Sequence, residues 1–121
     1  MFDHLGFNVA DFEKSKTFYV AALAPLGIHV VNEGTGWAML GKDGKGQLWI
    51  GAFGVAPKGI HLAFVASNRQ LVRDFYEAAL NAGGKNNGAP GLRPQYHANY
   101  YGAFVIDPDG HNVEAVCHVE E

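Results

Sequence analysis

The chain has 121 residues, 48% of them hydrophobic and 17% charged, which suits one domain with a real core and argues against disorder. Its formal net charge is −3 and its Lys and Arg residues form no cluster, which excludes a phosphate-tracking nucleic-acid surface. There is no long apolar run and no charged leader, so a soluble, cytoplasmic protein without a membrane partner is expected; the single cysteine, Cys117, excludes an internal disulfide and a multi-cysteine zinc site.

Residues 4–9 alternate as a strand, with His4, Gly6 and Asn8 on one face and Leu5, Phe7 and Val9 on the other. Asp11 is placed as an N-cap with Glu13 in the first turn of the helix it opens. Ser15, Phe18, Tyr19, Ala22 and Leu23 then recur at helical spacing as one apolar stripe, and Pro25 and Gly27 stop the helix. Strands are expected over 28–33, 36–41 and 47–53, separated by glycine-rich turns at 34–36 and 42–46. A linker over 54–59 contains Pro57.

The remainder runs the same course. A strand over 60–66 leads to Asn68 as N-cap and to a helix carrying Val72, Phe75, Tyr76, Ala79 and Leu80, closed by Gly83 and Gly84. Residues 86–94 are read as a turn-rich stretch, followed by a strand over 100–106. The turn Asp107-Pro108-Asp109-Gly110 is a hairpin signal that introduces a last strand over 112–118.

These two courses are copies of one another at a constant offset. His4-Leu5-Gly6-Phe7 returns as His61-Leu62-Ala63-Phe64, Phe18-Tyr19 as Phe75-Tyr76, Ala22-Leu23 as Ala79-Leu80, and Gly27 as Gly84. The reading is an α+β domain over 1–121 made of two tandem βαβββ modules, one at 1–54 and one at 60–121. Placed face to face, the halves would bring His4 and His61 together. Exposed sheet edges are commonly buried against a second copy, so a homodimer is expected.

On the last strand Glu114 is flanked by Val113, Ala115 and Val116, and a carboxylate in such surroundings is costly to bury without compensation. Gathering His4, His61 and Glu114 around a divalent ion would resolve that cost. Two imidazoles and one carboxylate suit Fe(II) and accommodate Zn, Ni or Mn. A histidine near a strand end is more often a satisfied surface or core residue; the equivalence of His4 and His61 within the repeat favours the metal.

Other candidates follow from position. His97, beside Tyr96, is a candidate acid/base or replacement ligand, with a plain surface histidine the equal alternative, and Tyr100 and Tyr101 are expected to point to opposite faces, one to the cavity and one to a helix. Arg93 suits a carboxylate or phosphate, although a solvated loop arginine is the commoner outcome. Trp37, Trp49 and Phe53 offer an apolar wall for an aromatic ligand or simply pack in the core. His111 and Asn112 are expected to be structural, and Cys117 faces away from Glu114. His118 shares the face of Glu114 but lies roughly 13 Å along the strand, too far for the same ion. The candidate catalytic residues are therefore Glu114, Tyr101 and His97, and the candidate substrate contacts Arg93, Trp37, Trp49 and Tyr100.

The two histidine-headed strands with their helices, and Asp107-Pro-Asp-Gly-His-Asn-Val-Glu114, make the chain resemble the vicinal oxygen chelate superfamily and, within it, a small bacterial glyoxalase-like subgroup. That group holds glyoxalase I, extradiol dioxygenases, methylmalonyl-CoA epimerase, and fosfomycin and bleomycin resistance proteins. The resemblance implies a cupped mixed sheet and one divalent ion per chain on His4, His61 and Glu114. It also implies a metal-dependent enzyme that chelates neighbouring oxygens of a small-molecule substrate, as a glyoxalase-like lyase or isomerase. An Fe(II) ring-cleaving dioxygenase and a metal-free drug-binding resistance protein are the alternatives, and a fosfomycin-type transferase ranks below them because Arg93 is the one cation at hand. The family's fourth ligand is missing: the last strand of the first module reads Gln47-Leu48-Trp49-Ile50-Gly51, and Ile50 is taken as the counterpart of Glu114.

Overall fold

Both helices begin where a short polar side chain satisfies an orphan amide. In the computed structural model, which describes all 121 residues, Asp11 accepts from the Lys14 amide at 3.2 Å and Asn68 from the Leu71 amide at 2.9 Å. These caps open α1 (Phe12–Leu23) and α2 (Arg69–Asn81). A short 3-10 turn, Ala24–Leu26, follows α1 and ends at Gly27 in the left-handed region at φ 79°. No helix is long and apolar enough to cross a membrane.

The strands are β1 (Leu5–Asn8), β2 (His29–Gly34), β3 (Trp37–Lys42), β4 (Lys45–Gly51), β5 (His61–Val65), β6 (Lys85–Leu92), β7 (Tyr101–Ile106) and β8 (Asn112–Cys117). They form two four-stranded mixed sheets, ordered β1-β4-β3-β2 and β5-β8-β7-β6. In each, the first strand lies parallel to the last and the other pairs are antiparallel. The tandem βαβββ arrangement expected from the repeat is the arrangement observed.

One element differs. The stretch 86–94, read as turns, is largely strand β6, an edge strand pairing with β7 through register breaks around Gly88. Bulges at Gly88, whose φ is 156°, absorb residues that a regular ladder rejects, and an edge tolerates Pro90 because one side of the strand needs no partner.

A single core serves both modules. Phe18, Tyr19 and Leu23 of α1 and Val72, Phe75 and Ala79 of α2 are fully buried, joined by Leu40 and Ile50 of the first sheet and Val105, Val113 and Ala115 of the second. Full burial of each large apolar side chain stabilises the fold by roughly 1.5–3 kcal/mol. Polar links tie the modules across this core. The Tyr19 hydroxyl donates to Asp107 Oδ2 at 2.5 Å, and the Ala10 amide to Asp109 Oδ2 at 3.1 Å. Burial, then the neighbouring Asp107 carboxylate, pushes the Tyr19 phenol well above the usual tyrosine range.

Candidate functional site

Parallel pairing of β5 with β8 sets His61 opposite Asn112 and Ala63 opposite Glu114, so all four share a face, turned away from the core. Glu114 is only 1% exposed. Its Oε2 accepts from the Tyr100 hydroxyl, and its Oε1 lies 3.1 Å from Nε2 of His61. Gly102 makes room for this: a Cβ there would stand 3.2 Å from both Glu114 Oε2 and the Tyr100 ring. Phe104 stacks on the His61 imidazole at 6.4 Å, and together with Tyr96 and Asn112 these residues line a cavity of about 460 Å³.

The hydrogen bonds assign the His61 tautomer. Nδ1 donates to the Asn112 carbonyl at 3.1 Å, so Nε2 carries a lone pair in the neutral ring. That lone pair faces a carboxylate oxygen. Two acceptors at 3.1 Å require a proton or a cation between them. His4 is held in the same way: its Nδ1 donates to Asp3 Oδ1 at 2.7 Å, leaving Nε2 free. The His4 bond, followed by Lys45, holds the Asp3 carboxyl below its ordinary range. A ring N–H given to a carboxylate or a backbone carbonyl is the usual preparation of a histidine as a metal ligand.

Within one chain His4 does not join the other two. It lines a separate cavity of about 480 Å³ with Phe2, Gly6, Asn8, Met39 and Trp49, which shares no residue with the Glu114 cavity. No group of three or more His, Cys, Asp or Glu side chains is arranged around one point for an ion.

The remaining candidates separate cleanly. Tyr100 reaches the cavity, whereas Tyr101 packs against α2, its hydroxyl accepting from Arg73 at 3.1 Å with the Arg69 and Arg73 guanidiniums against its ring. Burial, then the hydrogen bond to Glu114, raises the Tyr100 phenol above its usual range. Arg93 lies over Phe104 at 5.4 Å and donates to the Ala89 carbonyl at 2.8 Å, so part of its donor set is already used. Trp49 stacks on Phe53 at 6.1 Å on the His4 side, and Trp37 lies against Gly34; neither indole lines the Glu114 cavity. His111 is fully buried and accepts from the Ile60 amide at 3.1 Å, a structural role.

Register corrects the counterpart of Glu114. Gly6 occupies in β1 the place of Ala63 in β5, and Gly6 pairs with Trp49 as Ala63 pairs with Glu114. Trp49, not Ile50, therefore stands where a fourth ligand would be; Ile50 pairs with Phe7 and is fully buried in the core. An indole binds no metal either, so three candidate ligands remain.

Two participants escape a reading by sequence spacing. The Asn112 carbonyl that fixes His61 is a backbone group and leaves no side-chain signature. His118 lies too far along its strand to share an ion with Glu114, yet its Nδ1 is 2.7 Å from His97 Nε2 and its ring meets Tyr100. The signal was the shared face of Glu114 and His118.

A family model described as the Glyoxalase/Bleomycin resistance protein/Dioxygenase superfamily matches residues 1–115. No curated protein matches the chain. A solved glyoxalase/bleomycin resistance protein from Albidiferax ferrireducens T118 is 29% identical, with a TM-score of 0.82 over 97% of this chain and 98% of that one. A putative glyoxalase from Bacillus halodurans is 26% identical, with a TM-score of 0.73 over 97% and 95%. Glyoxalase I from Zea mays, at 20% identity and a TM-score of 0.70 over 94% of this chain and 43% of that one, shares the fold.

Proposed function

Because the chain belongs to the glyoxalase/bleomycin resistance protein/dioxygenase superfamily, we propose that it is a metal-dependent enzyme for a small, oxygen-rich molecule, with Glu114 and His61 as two ligands. His4 supplies the third ligand, a second imidazole, from a second copy, so the working unit is a homodimer and the ion is Fe, Zn, Ni or Mn. One observation carries this reading: Nε2 of His61, whose Nδ1–H is already given to Asn112, and a buried Glu114 oxygen face one another at 3.1 Å. Such a pair is relieved by a cation, and the donor types suit the divalent ions named.

When bound, the ion supplies Lewis acidity for chelating neighbouring substrate oxygens. The chain's own groups do the rest. The Asn112 carbonyl keeps the His61 ring in one orientation. The Tyr100 phenol stays protonated at neutral pH, so it remains a hydrogen-bond donor at the cavity floor. Phe104 and Tyr96 wall the cavity with aromatic surface and exclude water from one side of a flat substrate. Activity is of the lyase or isomerase kind, or, with air-sensitive Fe(II), ring cleavage.

The test is metal analysis of untagged protein. Close to one divalent ion per chain is expected, and Glu114→Ala should lose it while remaining folded. Full occupancy in that variant would remove Glu114 from the ligand set.

A metal-free binder is the second reading, favoured by the aromatic lining of Tyr96, Tyr100 and Phe104. In that case His61 is an imidazolium paired with Glu114, and the ion-free protein retains an aromatic ligand without converting it.

A further inference from the structure

The two histidines flanking Tyr100 lie outside the proposed ligand set. His97 precedes β7 and His118 follows β8 directly, and the two meet against Tyr100, which lines the Glu114 cavity. His97 Nε2 and His118 Nδ1 are 2.7 Å apart. The Asn99 amide donates to His97 Nδ1 at 3.2 Å. That bond orders the protons: His97 accepts at Nδ1, so its Nε2–H donates to His118 Nδ1, and the second proton of the pair sits on His118 Nε2. Each imidazole has one nitrogen that only accepts and one that only donates, so the pair has a single low-energy arrangement.

Both rings then meet Tyr100 edge-on. The centroid separations are 5.5 Å for His97 and 5.3 Å for His118, with interplanar angles of 72° and 83°. Tyr96 closes on the same ring at 4.9 Å and 63°. Edge-to-face contacts of this kind are attractive and directional. On its remaining side the Tyr100 ring passes over Gly102, where any Cβ would crowd it. A tyrosine ring turns about two side-chain bonds, and three neighbouring rings leave it one orientation, with the hydroxyl on Glu114 Oε2.

We propose that His97 and His118 are positioning residues, a hydrogen-bonded imidazole pair that holds the Tyr100 phenol on Glu114 and thereby directs the other carboxylate oxygen at His61. The proposal rests on the reading of Glu114 as the functional carboxylate. His97 acts through Tyr100 and need not touch substrate.

The test reads the hydrogen bond itself, by proton NMR of the full chain in water with neither metal nor ligand added. The parent is expected to show a Tyr100 hydroxyl resonance downfield of the amides, identified by its loss in Tyr100→Phe. His97→Ala and His118→Ala should each abolish that resonance by fast exchange while the amide signals of β7 and β8 stay in place. His97→Phe, which keeps a ring against Tyr100 without the imidazole pair, should restore it only in part. An unchanged resonance in folded His97→Ala overturns the proposal, as does its absence from the parent. Should His118→Ala fail to fold, His97→Ala alone decides. The readout uses no ion, so the pair can fail while the metal content of the parent still upholds the ligand set.

Discussion

Replacing Glu114 by glutamine keeps the shape of the side chain and removes its charge where two acceptors face each other. In the parent, His61 spends its Nδ1–H on the Asn112 carbonyl, and on the metal reading its neutral ring presents a lone pair to Glu114 Oε1 at 3.1 Å. Glu114 is 1% exposed, so bulk water reaches the pair only from the half-exposed His61 side. Glutamine does: its carbonyl accepts from Tyr100 and its amide donates to His61 Nε2. Leaving a buried polar group unsatisfied costs about 1–3 kcal/mol, more for a charged one. In chelator, Glu114→Gln is therefore expected to be more stable than the parent by about 1–3 kcal/mol. Adding the ion reverses the order. At an ion concentration of about 100 Kd the parent gains about 2.7 kcal/mol and the variant, lacking the anionic ligand, gains little. Urea unfolding followed by circular dichroism, with chelator and with excess Zn or Mn, measures both. If Glu114→Gln is less stable than the parent by the same amount in both solutions, the pair is an imidazolium–carboxylate bond with no ion in it, and the metal reading fails.

Tyr19→Phe removes the hydroxyl that links α1 to Asp107 and should cost about 1.5–3 kcal/mol at neutral pH, since the acceptor is charged and buried. Burial and then Asp107 raise the folded phenol's pKa above the unfolded value near 10. The native state thus keeps a proton that the unfolded chain releases. The parent's stability from this group is fully present below about pH 10 and falls by about 1.4 kcal/mol per pH unit above it, a slope the variant lacks; parallel profiles above pH 10 would refute the assignment. Mixing His4→Ala with Glu114→Ala protein should restore ion binding at one of the two sites of a mixed dimer, whereas each variant alone binds none; no recovery on mixing argues against a ligand set shared between copies. Gly102→Ala places a methyl 3.2 Å from both Glu114 Oε2 and the Tyr100 ring. The crowding should cost about 1–3 kcal/mol and lower ion loading, and a variant that unfolds and loads as the parent does would show that the ring and carboxylate have slack.

Periodicity and punctuation carried most of the fold. The Asp11 and Asn68 caps, the buried stripes of both helices and the repeat that sets the topology all depend on local chemistry, which a sequence displays directly. Strand β6 was illegible because its glycines and Pro90 are the residues of a turn, and only its place at a sheet edge with bulged pairing lets them extend. The Glu114 face was legible from alternation along β8. The place of Trp49 was not, because the counterpart of Glu114 depends on how β4 registers against β1, and a shift of one residue exchanges the core face for the cavity face. The meeting of His97 with His118 was hidden for a different reason. A distance criterion suited to a shared ion discards a partner that acts through an intervening ring.

Duplication explains why the two histidines look alike, and divergence explains why their surroundings do not. Each heads a strand parallel to the last strand of its sheet, and each gives its Nδ1–H to an oxygen: the Asp3 carboxylate for His4, the Asn112 carbonyl for His61. Opposite them the modules part. Where the second module places Glu114, the first places Trp49, stacked on Phe53. One half thus offers an imidazole beside aromatic surface, and the other an imidazole beside a buried carboxylate. The two halves of one chain open to different cavities, so in the proposed dimer the pairing expected is of unlike halves: the carboxylate half against the tryptophan half would supply the missing third ligand, the second imidazole. Pairing like with like would bring two buried carboxylates together, and the repulsion between them disfavours that arrangement. On the proposed reading the asymmetry between Trp49 and Glu114 favours the mixed pairing, and Nε2 of His4, which has no partner within its own chain, is the atom left for it.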